Sequence, residues 1–130
     1  MQHLSTWTER AATTVFRGFV TARDFLRCAL ELTADPRFES MAFFVADFLD
    51  ISGQAIDSAS VRDDLAAQAL GARTTNTRYR IVVVTNDPAI DAFTEKMRAL
   101  YASGGPEIFS FRTREEAASW MSMQKPTPTT

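Results

Sequence analysis

The sequence predicts an α/β fold on a mostly parallel sheet, and three observations predict it. Strand-like and helix-like segments alternate along the chain in the order β-α-β-α-β-α-β-α. Two strand segments, MAFFVADFL (41–49) and YRIVVVT (79–85), are apolar at nearly every position, as strands covered on both faces must be. Helix-start residues stand at the junctions, at Thr21, at Asn86-Asp87-Pro88 and at Thr113. The expected architecture is four or five strands and about four helices, joined by right-handed crossovers.

Residues 1–10 read as an N-terminal arm, with room for a further strand before residue 11. A single domain spans 11–122, and 123–130, ending in KPTPTT, reads as a disordered tail. ATTVFRGFV (12–20) is β-branched and aromatic, hence a strand. Thr21 with Asp24 makes a capping box for a helix striped by Ala22, Phe25, Leu26, Ala29 and Leu30, which Pro36 ends. After the strand at 41–49 comes a polar loop. Ser60 with Asp63 then reads as the N-terminal cap of a helix carrying Val61, Leu65 and Ala69, stopped by Gly71. The strand at 79–85 leads into a helix whose stripe is Ile90, Phe93, Met97, Leu100 and Tyr101, ended by Gly104-Gly105. PEIFSFR (106–112) is a short strand, and Thr113 with Glu116 caps a last helix bearing Ala117, Trp120 and Met121.

The 130 residues are 45% hydrophobic and 23% charged, a globular composition with no excess charge to attract nucleic acid or an anionic membrane: the net charge is -2. The longest apolar run is far too short to span a bilayer, and the first residues lack a signal peptide's apolar core. A cytoplasmic protein is expected. Cys28 is the sole cysteine and His3 the sole histidine, too few for a His/Cys metal site; an all-carboxylate site stays open on count, and none is expected. No cofactor is expected either, because the five glycines form neither GxGxxG nor a GK[ST] loop. No G-x-S-x-G elbow occurs, and no histidine is placed to serve a serine nucleophile. A phosphoacceptor-aspartate receiver would need an acidic pair after the first strand and a lysine after the last; the chain resembles it only in Asp47 and Asp50, its last strand ends in Arg112-Thr113, and neither lysine is near a strand end.

In open α/β sheets, ligands bind beyond the carboxyl ends of the strands. Asp47, Asp50, Asn86 and Asp87 lie there and are the candidate contacts for a ligand or partner. Capping accounts for Asn86 and Asp87 without one. Asp47 has two readings. A carboxylate that interrupts an apolar run needs partners, either backbone N–H groups at a fraying strand end or the groups of a functional site.

GFVTARDFLRCALEL (18–32), VADFLDIS (45–52) and IFSFRTREEAASWM (108–121), with RIVVVTNDPAIDAF between the last two, resemble the SpoIIAA-like branch of the STAS domains. The resemblance covers residues 12 to 121 and implies that family's fold, a sheet of four or five mostly parallel strands with about four helices. In STAS proteins that act as anti-sigma-factor antagonists, an Asp-Ser-Ser-Gly turn precedes a helix, and its first serine is phosphorylated by a partner kinase. IDSAS here matches only Asp57 and Ser58, with Ala59 and Ser60 replacing the rest. Ser58 is thus a candidate phosphosite, against the plainer reading in which Ser60 caps the helix and Ser58 lies outside it.

The resemblance, with no catalytic constellation beside it, implies a non-enzymatic binding or regulatory module that acts on a protein partner. One alternative is a carrier of a small apolar ligand resembling lipid-transfer folds, with some of the ten phenylalanines lining a pocket. Another is a phosphorylation-dependent antagonist switched at Ser58. Trp7 with Phe16 or Phe19 is expected to cover the edge of the first strand, in a homodimer or by folding back.

Overall fold

The computed structural model describes residues 2–124. In chain order the elements are β1 (Gln2–Trp7), β2 (Ala11–Thr21), α1 (Ala22–Ala34), a short 3-10 turn (Pro36–Ser40), β3 (Phe43–Ala55) and α2 (Ala59–Thr75). There follow β4 (Arg80–Val84), α3 (Pro88–Tyr101), β5 (Ile108–Phe111) and α4 (Arg114–Met123). The five strands lie in sequence order; β1 is antiparallel to β2 and the other three pairings are parallel.

That order decides where the helices go. Each parallel strand neighbours the next one in sequence, so right-handed crossovers carry α1, α2 and α3 to the same face of the sheet. Their shared core includes Phe16, Phe44, Phe48, Leu65, Ile90 and Phe93, with Phe16 stacked on Phe48 at 4.8 Å between ring centroids. Among the described residues, the other face has only α4. Ala117, Trp120 and Met121 pack there against Phe43, Val45, Val82 and Val84. Trp120 docks the helix as expected, its ring 4.4 Å from that of Phe109 and 5.7 Å from that of Phe43. One short helix cannot cover five strands, so the β1–β2 side of this face stays open.

The caps follow from side-chain chemistry. Thr21 Oγ1 accepts the Asp24 N–H (3.2 Å) while Asp24 accepts the Thr21 N–H (2.9 Å), a complete capping box. Asp87 accepts the Ala89 N–H at 2.8 Å, with Pro88 first in α3. Thr113 accepts the Glu116 N–H at 3.0 Å, but the Glu116 carboxylate bonds the Thr113 hydroxyl rather than its backbone N–H, so only half the expected box forms.

Several expectations change. Residues 2–7 are strand β1 rather than an arm, so β2 is an inner strand. Phe16 is fully buried and Trp7 half-buried beneath Arg37, whereas Phe19 stays exposed on the open face. The cap of α2 is Ser58, accepting the Val61 N–H, and not Ser60. Gly71 lies inside α2, which runs on to Thr75 with Asn76 as its cap; the buried Asn76 amide donates to the Phe38 and Met41 carbonyls at 2.7 Å each and so ties the helix end down. β3 continues past Leu49 to Ala55. Met123 closes α4 and Gln124 caps it, so residues 123 and 124 belong to the folded domain; KPTPTT, residues 125–130, lies outside the described residues.

Candidate functional site

Opposite Val15 and Arg17 of β2, β3 presents Asp47 and Asp50: two steps on one strand meet three on the other. This bulge adds one residue to β3. Carboxylates three apart would face opposite ways on a regular strand. The bulge instead turns both toward the open face, where both reach the same arginine.

That arginine is Arg114, the first residue of α4. Its Nε donates to Asp47 Oδ2 at 2.5 Å and its Nη2 to Asp50 Oδ2 at 3.0 Å. Arg17 Nε lies 3.8 Å from the same Asp50 oxygen. The result is a line of alternating charge, Arg17–Asp50–Arg114–Asp47. Asp47 is its buried end, with a side chain only 2% exposed and one further bond from the Leu49 N–H at 3.0 Å. The two carboxylates, led by Asp47, hold the Arg114 guanidinium protonated well above its ordinary pKa. Asp47 accepts a backbone N–H, as the first reading expects, but it does so inside β3 rather than at a fraying strand end, and its other partner is Arg114.

Beside the cluster lies a groove of about 380 Å³. Val15, Val45 and Val84 form its floor, and Ala117, Ala118 and Met121 of α4 form one wall. Alanines at 117 and 118 leave room that larger side chains would fill. The groove is mostly apolar, with Thr13 also in its lining, and ionic at one end, the layout of a small-molecule or side-chain binding site.

The remaining candidates do not join it. Asn86 and Asp87 border a separate hollow of about 260 Å³ with Phe48, Leu49 and Ile51. Asp87 caps α3, and its own N–H is held by the buried Thr85 hydroxyl at 3.0 Å. Ser58 lies elsewhere again. Its Oγ is 3.2 Å from Ser60 Oγ, and the neighbouring Asp57 pairs with Arg62 at 2.8 Å and with Lys96. The Lys96 hydrogen bond, more than any other influence, lowers the Asp57 pKa. Among the described residues, no group of three or more His, Cys, Asp or Glu could hold a metal ion, and no helix is long and apolar enough to cross a membrane.

Sequence reasoning missed Arg17 and Arg114. The available signal was Asp47 itself: a carboxylate in an apolar strand needs partners, and Arg114 stands at the start of a helix that could supply one.

No family model and no curated protein matches the sequence. Solved structures do match. The anti-sigma factor antagonist SpoIIAA in its unphosphorylated form superposes over 95% of this chain and 100% of its own, with TM-score 0.61 and 11% identity. A DUF3478-family protein with a SpoIIAA-like fold from Shewanella loihica PV-4 superposes over 92% of this chain and 91% of its own, with TM-score 0.51 and 14% identity. At such identities the likeness concerns the fold, and the fold of this chain is SpoIIAA-like.

Proposed function

We propose that the chain is a non-enzymatic binding or regulatory module of the STAS type, and that the open groove beside α4 is its binding surface. The observation that supports this most is the closed ion line at the groove's polar end. Asp47 and Asp50 both pair with Arg114, an arrangement that supports holding a bound group over transferring its protons. Such a cluster orients a bound group through Arg17 and the outer edge of Asp50, and leaves it chemically unchanged.

A carrier of a small apolar ligand is favoured by the groove itself, whose volume and apolar floor suit such a molecule. Native mass spectrometry of gently purified protein separates the two readings. A bare mass accords with the regulatory module, and a retained small molecule with the carrier.

A phosphorylation-dependent antagonist switched at Ser58 draws support from the placement of Ser58 as the cap of α2, where a phosphate meets free backbone N–H groups, with Arg62 and Lys96 close by. Asp57 already occupies both cations and repels an added dianion, which weighs against this reading. A Ser58→Asp variant that binds a protein partner as the parent chain does would end it.

A further inference from the structure

The two edges of the sheet are finished differently. At β5, Arg98 reaches across from α3 and donates to the Ile108 carbonyl from Nε (3.3 Å) and Nη2 (3.1 Å), so a side chain caps that edge. Among the described residues, β1 has no such cover. The Thr8 N–H donates to the Ala11 carbonyl at 2.8 Å, and the β1–β2 register runs unbroken through Trp7↔Ala12, Ser5↔Thr14 and His3↔Phe16. Antiparallel pairs alternate between hydrogen-bonded and non-bonded. Thr6 and Leu4 therefore bond to β2, while Trp7, Ser5 and His3 turn their N–H and C=O outward. The Ser5 and Thr14 hydroxyls, 2.9 Å apart, mark one of the close non-bonded pairs. Among the described residues nothing bonds the outward groups. The strand QHLSTW also has no proline, lysine or bulge to protect it.

We propose that β1 is a dimerisation edge, pairing antiparallel with β1 of a second copy about a two-fold axis through Ser5. The three outward residues are symmetric about Ser5. His3 then meets the second copy's Trp7, Ser5 meets its own counterpart and Trp7 meets the second copy's His3, giving about six backbone hydrogen bonds. Shifting the register by two residues loses one of these pairs, and shifting it by one faces outward groups with groups already committed to β2.

The side chains agree with this register. On the open face Leu4, 61% exposed, comes beside the second copy's Thr6 and diagonal to its Leu4. On the helix face Glu31 lies over β1, 3.6 Å from His3 and bordering a hollow with Ser5 and Trp7. Arg27, one turn earlier on the same flank of α1, is exposed. The two-fold axis sets Arg27 of each copy against Glu31 of the other. This self-complementary charge order selects a second copy over an unrelated extended peptide.

Sedimentation equilibrium of the full chain tests the proposal, and a dimer is expected. Ser5→Pro removes an outward N–H and no backbone bond to β2, though it also removes the Ser5–Thr14 hydroxyl contact, and should yield a monomer. Glu31→Arg should weaken association about tenfold through two symmetric rim pairs, and adding Arg27→Glu should restore it. A Leu4→Cys/Thr6→Cys chain should oxidise to a covalent dimer, because this register makes those positions a close non-bonded pair. A wild-type chain that stays monomeric at every concentration overturns the proposal. So does a dimer that ignores the charge swap and fails to cross-link, even if Ser5→Pro cannot fold.

Discussion

Replacing Arg114 with Met removes the guanidinium from Asp47 while keeping a long side chain and a good helix former at the start of α4. Asp47 then remains nearly sealed from water with one backbone N–H for company, between Val15 and Val84 on the neighbouring strands. Breaking a fully buried ion pair costs about 3–5 kcal/mol. Here Arg114 is half exposed and Asp50 remains solvated, so water relieves part of the loss and about 2–3 kcal/mol remains. For a domain of this size that lowers Tm by about 10 °C. Adding Asp47→Leu removes the stranded charge and gives Val15 and Val84 an apolar neighbour, and should recover most of the deficit, a coupling of about 2 kcal/mol. Urea unfolding of the parent, both single variants and the double variant measures it. A loss below about 0.5 kcal/mol for Arg114→Met, or a double variant no better than the sum of its singles, would refute the reasoning.

Ser58→Ala should cost about 1 kcal/mol in urea unfolding and Ser60→Ala much less, since Ser58 alone accepts the Val61 N–H. The reverse order would return the cap to Ser60. Gly18 sits in β2 at φ +74° with open space where a Cβ would stand, so Gly18→Ala should cost about 1–2 kcal/mol from backbone conformation alone. The same cost at Gly71, which has no positive φ, would contradict this. Asp24, Asp35 and Asp57 all sit below the ordinary carboxyl range, held by the Thr21 N–H, by Arg37 and by Lys96 respectively, with Asp35 at about 2. Because the folded values are depressed, their stabilisation is complete above about pH 5 and is lost as the pH falls from about 4 toward 2. Denaturant midpoints should be level from neutral pH to about 5 and then decline, and Asp35→Asn should flatten part of that decline.

The helices were legible in the sequence because their signals are local. The Thr21–Asp24 box, the Asp87-Pro88 start and the Thr113 cap each fall within four residues. β1 was not legible, because the positions it turns toward the helix face are His3, Ser5 and Trp7, a polar set without the apolar alternation of a half-buried strand. The far half of β3 was hidden for a related reason: two register shifts break the two-residue period after Asp47. Ser58 and Ser60 compete for one cap with equal chemistry. Ile56, 1% exposed, anchors the incoming chain just before Ser58, a tertiary fact the local pattern does not carry. The groove depended on a partner 67 residues away from Asp47, so the need for a partner was readable and its identity was not.

The central claim is that the groove beside α4 binds without reacting. Turnover by the parent chain and by Asp47→Asn, on a panel of carboxylic esters, phosphate esters and nucleotides, tests it most directly. The account predicts no turnover above background for the parent chain and no difference between the two proteins. Turnover by the parent chain that disappears in a folded Asp47→Asn protein would contradict it, making Asp47 a catalytic group.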